Sequence, residues 1–250
     1  MVSLSKRILL NKFRDEYLTI KDLLAVGESL GEKIETSTAV WTMNNLIKSD
    51  EATRVGRGVY YMAPPREYKP QLSGLGRTVE SFMADRFKYT PVILLDSAWL
   101  HGFMEQQPFM TTIAAEVDEA AIEGVISALK TMDYEAVPKN DFRKVEPYLK
   151  TSEPIIVTKS LRLSPATKIG KTISLAKLEK MLVDIVSEPE IYSQYQGWEM
   201  ENIYINSIKD YDVNFSQLLK YASTRNKKDQ VVKMLELTDK YKKYKQVKND

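Results

Sequence analysis

Residues 36–62 read TSTAVWTMNNLIKSDEATRVGRGVYYM, and the two halves of this stretch follow different periods. Ala39, Val40, Met43, Leu46 and Ile47 recur at the three- and four-residue spacing that lines one face of a helix, over roughly 37–48. Thr36 or Ser37 stands where such a helix takes its N-cap. Two β-prone pieces follow, Thr53 to Val55 and Val59 to Met62, either side of Gly56-Arg57-Gly58. Glycines there permit the positive φ of a tight hairpin. Upstream, Leu4, Ile8 and Leu9 share one helical face, and Thr19 opens IKDLLAVGESL with Asp22 three residues on, a short capping box. Three helices and a hairpin in this order are the pattern of a winged helix-turn-helix, whose third helix enters the major groove of DNA while the hairpin meets the backbone.

On a helical wheel the apolar face of the third helix centres on Val40, Met43 and Ile47. The opposite face carries Ser37, Thr38, Trp41, Thr42, Asn45 and Lys48, with Lys33 just before it. Hydroxyl and amide side chains suit base edges or phosphate oxygens, and lysine suits phosphate. Arg54 and Arg57 in the hairpin suit phosphate or minor-groove contact. These nine residues form the candidate DNA-binding set. Trp41 fits a core or dimer contact equally well. The same fold can also serve only to bind protein, and a net charge of +2 over residues 1–70 is weak for a DNA-binding domain, whose pI is more usually above about 9.

Beyond the hairpin, MAPPREYKPQLSGLG over residues 62–76 is rich in Pro and Gly and reads as a linker that few contacts should cross. The expected division is a winged-helix DNA-binding domain over 1–65 and a second domain over 77–250. In the second, residues 77–187 alternate. The order is a helix near 77–88, an apolar strand from Pro91 to Leu95, the short aromatic helix SAWLHGFM, strand MTTIAAEV, helix DEAAIEGVISALKTM, a strand from Tyr134 to Val137, strand PIIVTKS and helix SLAKLEKMLVDIVS. Uninterrupted apolar strands with helical crossovers indicate a covered sheet. Residues 188–250 read as helical. The expected fold class is therefore α+β: a winged helix-turn-helix, then an α/β domain with a helical C-terminal region.

Composition excludes several chemistries. The 250 residues include no Cys and one His, so disulfides, thiolate nucleophiles, Cys-based metal centres and multi-histidine sites are out. The N-terminal stretch has charges where a signal peptide has its apolar core, and no run approaches the ~20 apolar residues of a membrane helix. The expectation is a cytoplasmic protein without membrane contact. Charge is uneven: Lys/Arg against Asp/Glu is 11 to 9 over residues 1–70, 15 to 21 over 71–219 and 10 to 4 over 220–250. The basic end reads either as a packed helical hairpin with a solvated Lys-rich terminus or as a docking surface for an acidic partner.

Catalytic signals are weak. Asp96, Glu116 and Asp118 sit at predicted strand ends, where α/β sites gather, and together imitate a metal-dependent nuclease. A restriction-type site wants Glu-x-Lys, whereas Glu116 is followed by Val117 and Asp118. The simpler role for Asp118 is to cap the next helix. Gly170-Lys171-Thr172 resembles the end of a phosphate loop, but Pro165 stands where that motif needs Gly. His101, between Trp99 and Phe103, reads as a structural, hydrogen-bonded histidine.

The layout resembles a known family. The N-terminal unit, the Pro-rich linker, LLDSAWLHGFMEQQPFMTTIAAEVDEAAIEGVISALK, SLAKLEKMLVDIVSEPE and the late LLKYASTRN are similar to AbiEi-type antitoxins, the regulators of abortive-infection toxin–antitoxin pairs. The stretch Lys177, Leu178, Glu179, Lys180, Leu182, Val183, Asp184 matches best, and the long Lys-rich C-terminus departs from commoner members. The resemblance implies a non-enzymatic antitoxin and autorepressor without catalytic residues, cofactor or metal. Its partners would be operator DNA, through the winged helix, and a nucleotidyltransferase-type toxin counteracted by the larger domain. A nuclease-like defence effector and a ligand-responsive winged-helix transcription factor are the alternatives.

Overall fold

The computed structural model describes residues 6–31 and 33–249. The N-terminal unit runs α1 (Lys6–Lys12), β1 (Tyr17–Thr19), α2 (Ile20–Ser29), α3 (Thr36–Lys48), β2 (Thr53–Gly56) and β3 (Val59–Tyr61). Of Leu4, Ile8 and Leu9, only Leu9 has a described side chain, and it is buried. The capping box at α2 is present: the Thr19 hydroxyl accepts from the Asp22 N–H, and the Asp22 carboxylate accepts from the Thr19 N–H at 2.6 Å. Strand β1 has no counterpart in the sequence reading. It pairs antiparallel with β3, which pairs antiparallel with β2, giving the order β1-β3-β2. A small core of Leu9, Leu18, Leu23, Ala39, Met43, Leu46, Tyr60 and Met62 joins the helices to this sheet. The buried stripe of α3 is thus Ala39, Met43 and Leu46, whereas Val40 is exposed beside Trp41. The packing against α2 turns the helix away from the face centre that the wheel gave.

The rest of the chain runs α4 (Gly74–Arg86), β4 (Val92–Asp96), β5 (Ile113–Val117), α5 (Ile122–Lys130), β6 (Ala136–Pro138), α6 (Phe142–Val145), β7 (Ile155–Lys159), β8 (Ala166–Lys168), β9 (Ile173–Ala176), α7 (Leu178–Ser187), α8 (Trp198–Asp210), α9 (Phe215–Thr224), α10 (Lys228–Leu235) and α11 (Asp239–Asn249). A 3-10 turn over Ser97–Phe103 forms the short aromatic helix. Six strands make one mixed sheet in the order β6-β7-β5-β4-β9-β8. The β4–β9, β5–β7 and β6–β7 pairs are parallel, and β4–β5 and β8–β9 are antiparallel. The architecture among the described residues is therefore mixed α+β with two sheets. Every residue of β5 is buried, as a central apolar strand covered on both faces must be. Pro138, which cannot donate to a ladder, falls on edge strand β6.

One expected helix is shorter than its periodicity. SLAKLEKMLVDIVS begins as strand β9, whose Ile173 to Leu175 pair with β4, and only from Leu178 becomes α7. A leucine-alanine-lysine run has helical propensity, but the open edge of β4 offers ladder hydrogen bonds that override it. The linker is also more constrained than its composition indicates. The Arg66 N–H donates to the Asp212 carboxylate and its carbonyl accepts from the Asp212 N–H, both at 2.9 Å. The Gln71 carbonyl accepts from the Trp99 indole N–H at 2.9 Å. Val55 and Val59 of the hairpin belong to the main core, with Tyr241 and Tyr244 of α11. The basic terminus accordingly packs through its tyrosines while Lys242, Lys243 and Lys245 remain exposed.

Candidate functional site

The residues expected to meet DNA divide into two groups. Lys33, Ser37, Thr38, Trp41 and Lys48 are exposed, and Thr42 and Asn45 are half-buried on the same helix. Trp41 is 63% exposed, so it does not complete the core of its own chain. The Thr42 hydroxyl donates to the Thr38 carbonyl at 2.9 Å and the Ser37 hydroxyl to Glu35 at 3.3 Å. The exposed face of α3 is polar and aromatic, and carries one cation at its end, Lys48.

The hairpin differs from its expected form. Gly58 has the positive φ of a tight turn, at 74°. Gly56 does not need one. It is buried, and a Cβ there would lie 2.5 Å from Cε2 and 2.8 Å from the hydroxyl of Tyr244. Its glycine serves close approach of the backbone to α9 and α11. The Arg57 N–H donates to the Ser216 hydroxyl at 2.9 Å. The tip is thus seated on the C-terminal helices, with the Arg54 and Arg57 side chains left exposed.

The three carboxylates do not converge. Asp96 pairs with Ile113 and Glu116 pairs with Ile93, so alternation along β4 and β5 puts Asp96 and Glu116 on opposite faces of the sheet. Asp96 is buried and accepts from the Ser73 and Ala98 N–H groups, each at 3.0 Å. Asp118 is exposed and caps the turn before α5 through the Ala120 N–H at 3.0 Å. Among the described residues no group of three or more His, Asp or Glu is placed to hold a metal ion. Gly170-Lys171-Thr172 belongs to the β8–β9 turn, where the Ile169 and Gly170 N–H groups donate to the Ile173 carbonyl. His101 meets the Tyr195 hydroxyl at 3.1 Å, and burial pushes its pKa down against the opposing charge of Asp96.

What the sequence reading missed is on the Glu116 face. From Leu178 to Val186 every residue of α7 is buried, including Glu179, Lys180 and Asp184. A charge taken out of water is tolerated only with partners. The Lys180 ammonium, fully buried, donates to Glu116 Oε1 at 2.6 Å, to the Asp184 carboxylate, and to the Tyr221 hydroxyl at 3.1 Å. Tyr221 in turn donates to Asp184 at 2.9 Å. Arg225, just past α9, pairs with Glu188, which also holds Lys139. Burial alone would lower the Lys180 pKa, but Asp184 and Glu116 hold it well above the usual lysine value. Burial pushes the Glu116 carboxyl up, with Lys180 opposing. Three carboxylates and three cations are thereby matched beside a cavity of about 360 Å³, lined by Glu116, Asp184, Glu188, Lys139 and Arg225 and by apolar walls that include Ile156 and Tyr192. The signal was in the sequence: Lys180 and Asp184 are spaced i, i+4 in a helix whose residues 181–183 and 185–186 are all apolar.

Residues 38–241 match a family of unknown function (DUF6577), and the chain belongs to that family. The match takes in most of α3, the hairpin, the whole six-stranded sheet and the buried charge cluster. No curated protein matches the chain. Among solved structures, the RV2827C protein of Mycobacterium tuberculosis is similar at 11% identity and a TM-score of 0.25, over 95% of this chain and 82% of that one. Likeness at that level carries no argument about fold or activity. No helix among the described residues is long and apolar enough to cross a membrane.

Proposed function

We propose that this chain is a DNA-binding regulator of antitoxin type, with a winged helix-turn-helix as its reading head and the larger α+β body as the part that counteracts a nucleotidyltransferase-type toxin. The observation that carries the DNA reading is the outward face of α3. Ser37, Thr38, Trp41 and Lys48 are exposed on a helix whose other side is locked into a small core, and a solvated aromatic among hydroxyls and amides has no packing role there. The element order helix, strand, helix, helix, hairpin and the sheet order β1-β3-β2 support the winged-helix reading. In this reading α3 supplies base contacts. The hairpin supplies phosphate contacts through the Arg54 and Arg57 side chains only, because its backbone is held by Ser216. The antitoxin half rests on the resemblance of the sequence to AbiEi-type antitoxins, and a cytoplasmic setting goes with it. The test has two arms. Gel-shift titration of the full chain on the DNA upstream of its own gene should show binding tighter than on a scrambled duplex. Co-expression with a toxin gene adjacent to its own should restore growth. Equal affinity for both duplexes removes the regulator reading, and failure to rescue removes the antitoxin reading.

A further inference from the structure

Strand β8 ends the six-stranded sheet, and its outer side is open. In the ladder with β9 the Lys177 N–H donates to the Pro165 carbonyl and the Ile169 N–H to the Ile173 carbonyl, each at 3.0 Å. The main-chain groups that face β9 therefore belong to Pro165, Thr167 and Ile169. Alternation turns the N–H and C=O of Ala166 and Lys168 outward. No strand among the described residues lies beyond β8 to receive them. At the opposite end of the sheet, β6 closes on Pro138, which has no N–H to offer. One edge is blunted by proline, and the other keeps its donors and acceptors.

The side chains around the open edge select what can pair with it. Between Glu153 and Glu179 the chain carries Lys159, Arg162, Lys168, Lys171 and Lys177 and no carboxylate, inside a region that is acidic as a whole. Lys159 pairs with Glu119. Arg162, Lys168 and Lys171 are exposed and make no ion pair among the described residues. Two aliphatic side chains flank the strand, Leu163 at 54% and Ile169 at 50% exposure. Leu163 is held in left-handed backbone, φ 63°, which is unfavourable for an L-residue. Lys168 points to one face of the sheet and Ile169, the next residue, to the other. A second copy of β8 laid against this edge would set cations beside cations, which is destabilising. A nucleic acid would meet the cations but leave the ladder groups and both aliphatic side chains without partners. We infer that β8 accepts an added strand from a partner protein, an extended segment in which carboxylate and aliphatic residues alternate, with its acidic face toward Lys168 and its aliphatic face toward Ile169. The surface is separate from α3 and from the antitoxin resemblance, and its test needs neither operator DNA nor a toxin.

The experiment is isothermal titration calorimetry of the full chain with a seven-residue peptide of alternating Glu and Val. Its dissociation constant should be about 0.2 mM or tighter, and a peptide of alternating Lys and Val should bind at least about tenfold more weakly. The acidic peptide N-methylated on its Glu nitrogens, which keeps the charge and removes the N–H groups of one edge, should also lose about tenfold or more. Ala166→Pro removes an outward N–H and spares the ladder to β9, and Lys168→Glu reverses the exposed charge. Each should weaken binding by about tenfold or more with unchanged far-ultraviolet circular dichroism. The N-methylated peptide keeps the test decisive if Ala166→Pro does not fold. Absence of binding by the acidic peptide overturns the proposal. So does equal affinity for its N-methylated form, or unaltered binding in a folded Lys168→Glu chain. Binding of single-stranded oligo-deoxythymidine that falls with Lys168→Glu, while the acidic peptide does not bind, would assign the edge to nucleic acid instead.

Discussion

The backbone N–H of Arg57 donates to the hydroxyl of Ser216 at 2.9 Å, so the turn of an N-terminal hairpin is fastened to a helix near the other end of the chain. The Tyr244 hydroxyl lies 3.2 Å from the same Ser216 oxygen, and Gly56 lies beneath the ring. Tyr244 cannot swing aside, because it is buried against Phe215 and Tyr241 at ring separations of 5.0 and 5.9 Å. Gly56→Ala should therefore cost about 1–3 kcal/mol, as overpacking of a filled site does. In a Tyr244→Ala background the same change should cost much less. Urea titrations of the four chains measure both. Equal costs in the two backgrounds would mean that the hairpin does not rest on this ring.

Lys180 is the common partner of two buried carboxylates, Glu116 and Asp184. Lys180→Met should destabilise the chain by about 3–5 kcal/mol at neutral pH, because both charges lose their counter-ion inside the core. The sign of the pH dependence follows from linkage. Burial already raises the Glu116 carboxyl and Lys180 opposes this, so without the ammonium its folded-state pKa climbs further above the unfolded value and the folded chain binds protons more readily than the unfolded one. The penalty relative to wild type should then shrink as pH falls toward the unfolded carboxyl range of about 4. Denaturation of both chains across that range checks this, and a penalty independent of pH would contradict the pairing.

Burial pushes the phenols of Tyr195 and Tyr221 up from 10.0 to about 12, with the Asp184 charge adding to the effect at Tyr221 and a hydrogen bond from Tyr195 to Ser97 opposing it at Tyr195. A phenol whose folded pKa is raised contributes stability that is complete below the unfolded value. That stability is lost as pH climbs through the folded one. The chain should lose stability between about pH 10 and pH 12. Tyr195→Phe should flatten this alkaline slope while lowering stability at neutral pH by about 1–3 kcal/mol, since its hydrogen bond to Ser97 disappears. Thermal melts over alkaline pH, read beside phenolate absorbance, measure it; a slope unchanged by Tyr195→Phe would exclude that residue as a source.

On the proposed DNA face, Arg57→Ala removes one exposed cation and leaves the N–H that holds the hairpin. Operator affinity should fall and the slope of log affinity against log salt should flatten by about one. Asn45→Ala should instead narrow the gap between operator and random duplex by about 1–3 kcal/mol, as the loss of a base contact does. Titrations at several salt concentrations separate the two. An unaltered slope for Arg57→Ala would take the hairpin off the DNA.

The elements that announce themselves locally were legible: the α2 capping box at Thr19 and Asp22, the α3 stripe through Met43, the hairpin about Gly58, and the apolar run of β5. What could not be read depends on partners far along the chain. Strand β1 is three residues with no alternation long enough to signal, and it exists because β3 pairs with it. The start of α7 is hidden because Ser174 to Ala176 carry helical residues, and only pairing with β4 and β8 makes them strand. Glu116 was legible as a carboxylate at a strand end but not as the partner of Lys180, since only the parity of β4 and β5 puts it on the α7 side and Asp96 on the other. The glycine at position 56 has the sequence context of a turn residue, whereas the neighbour that demands it, Tyr244, lies on α11.

That last dependence bears on synthesis at the ribosome. The hairpin emerges early, but Ser216, 159 residues after Arg57, and Tyr244 beyond it, which seat the hairpin, are translated much later. The edge of β4 likewise waits for β9 before its ladder is complete. The nascent N-terminal unit must therefore persist with Val55 and Val59 uncovered until the C-terminal helices arrive, a period of exposure to chaperones and to wrong strand partners. Loss of α11 would therefore be felt far away in sequence, in the hairpin whose valines share a core with Tyr241 and Tyr244.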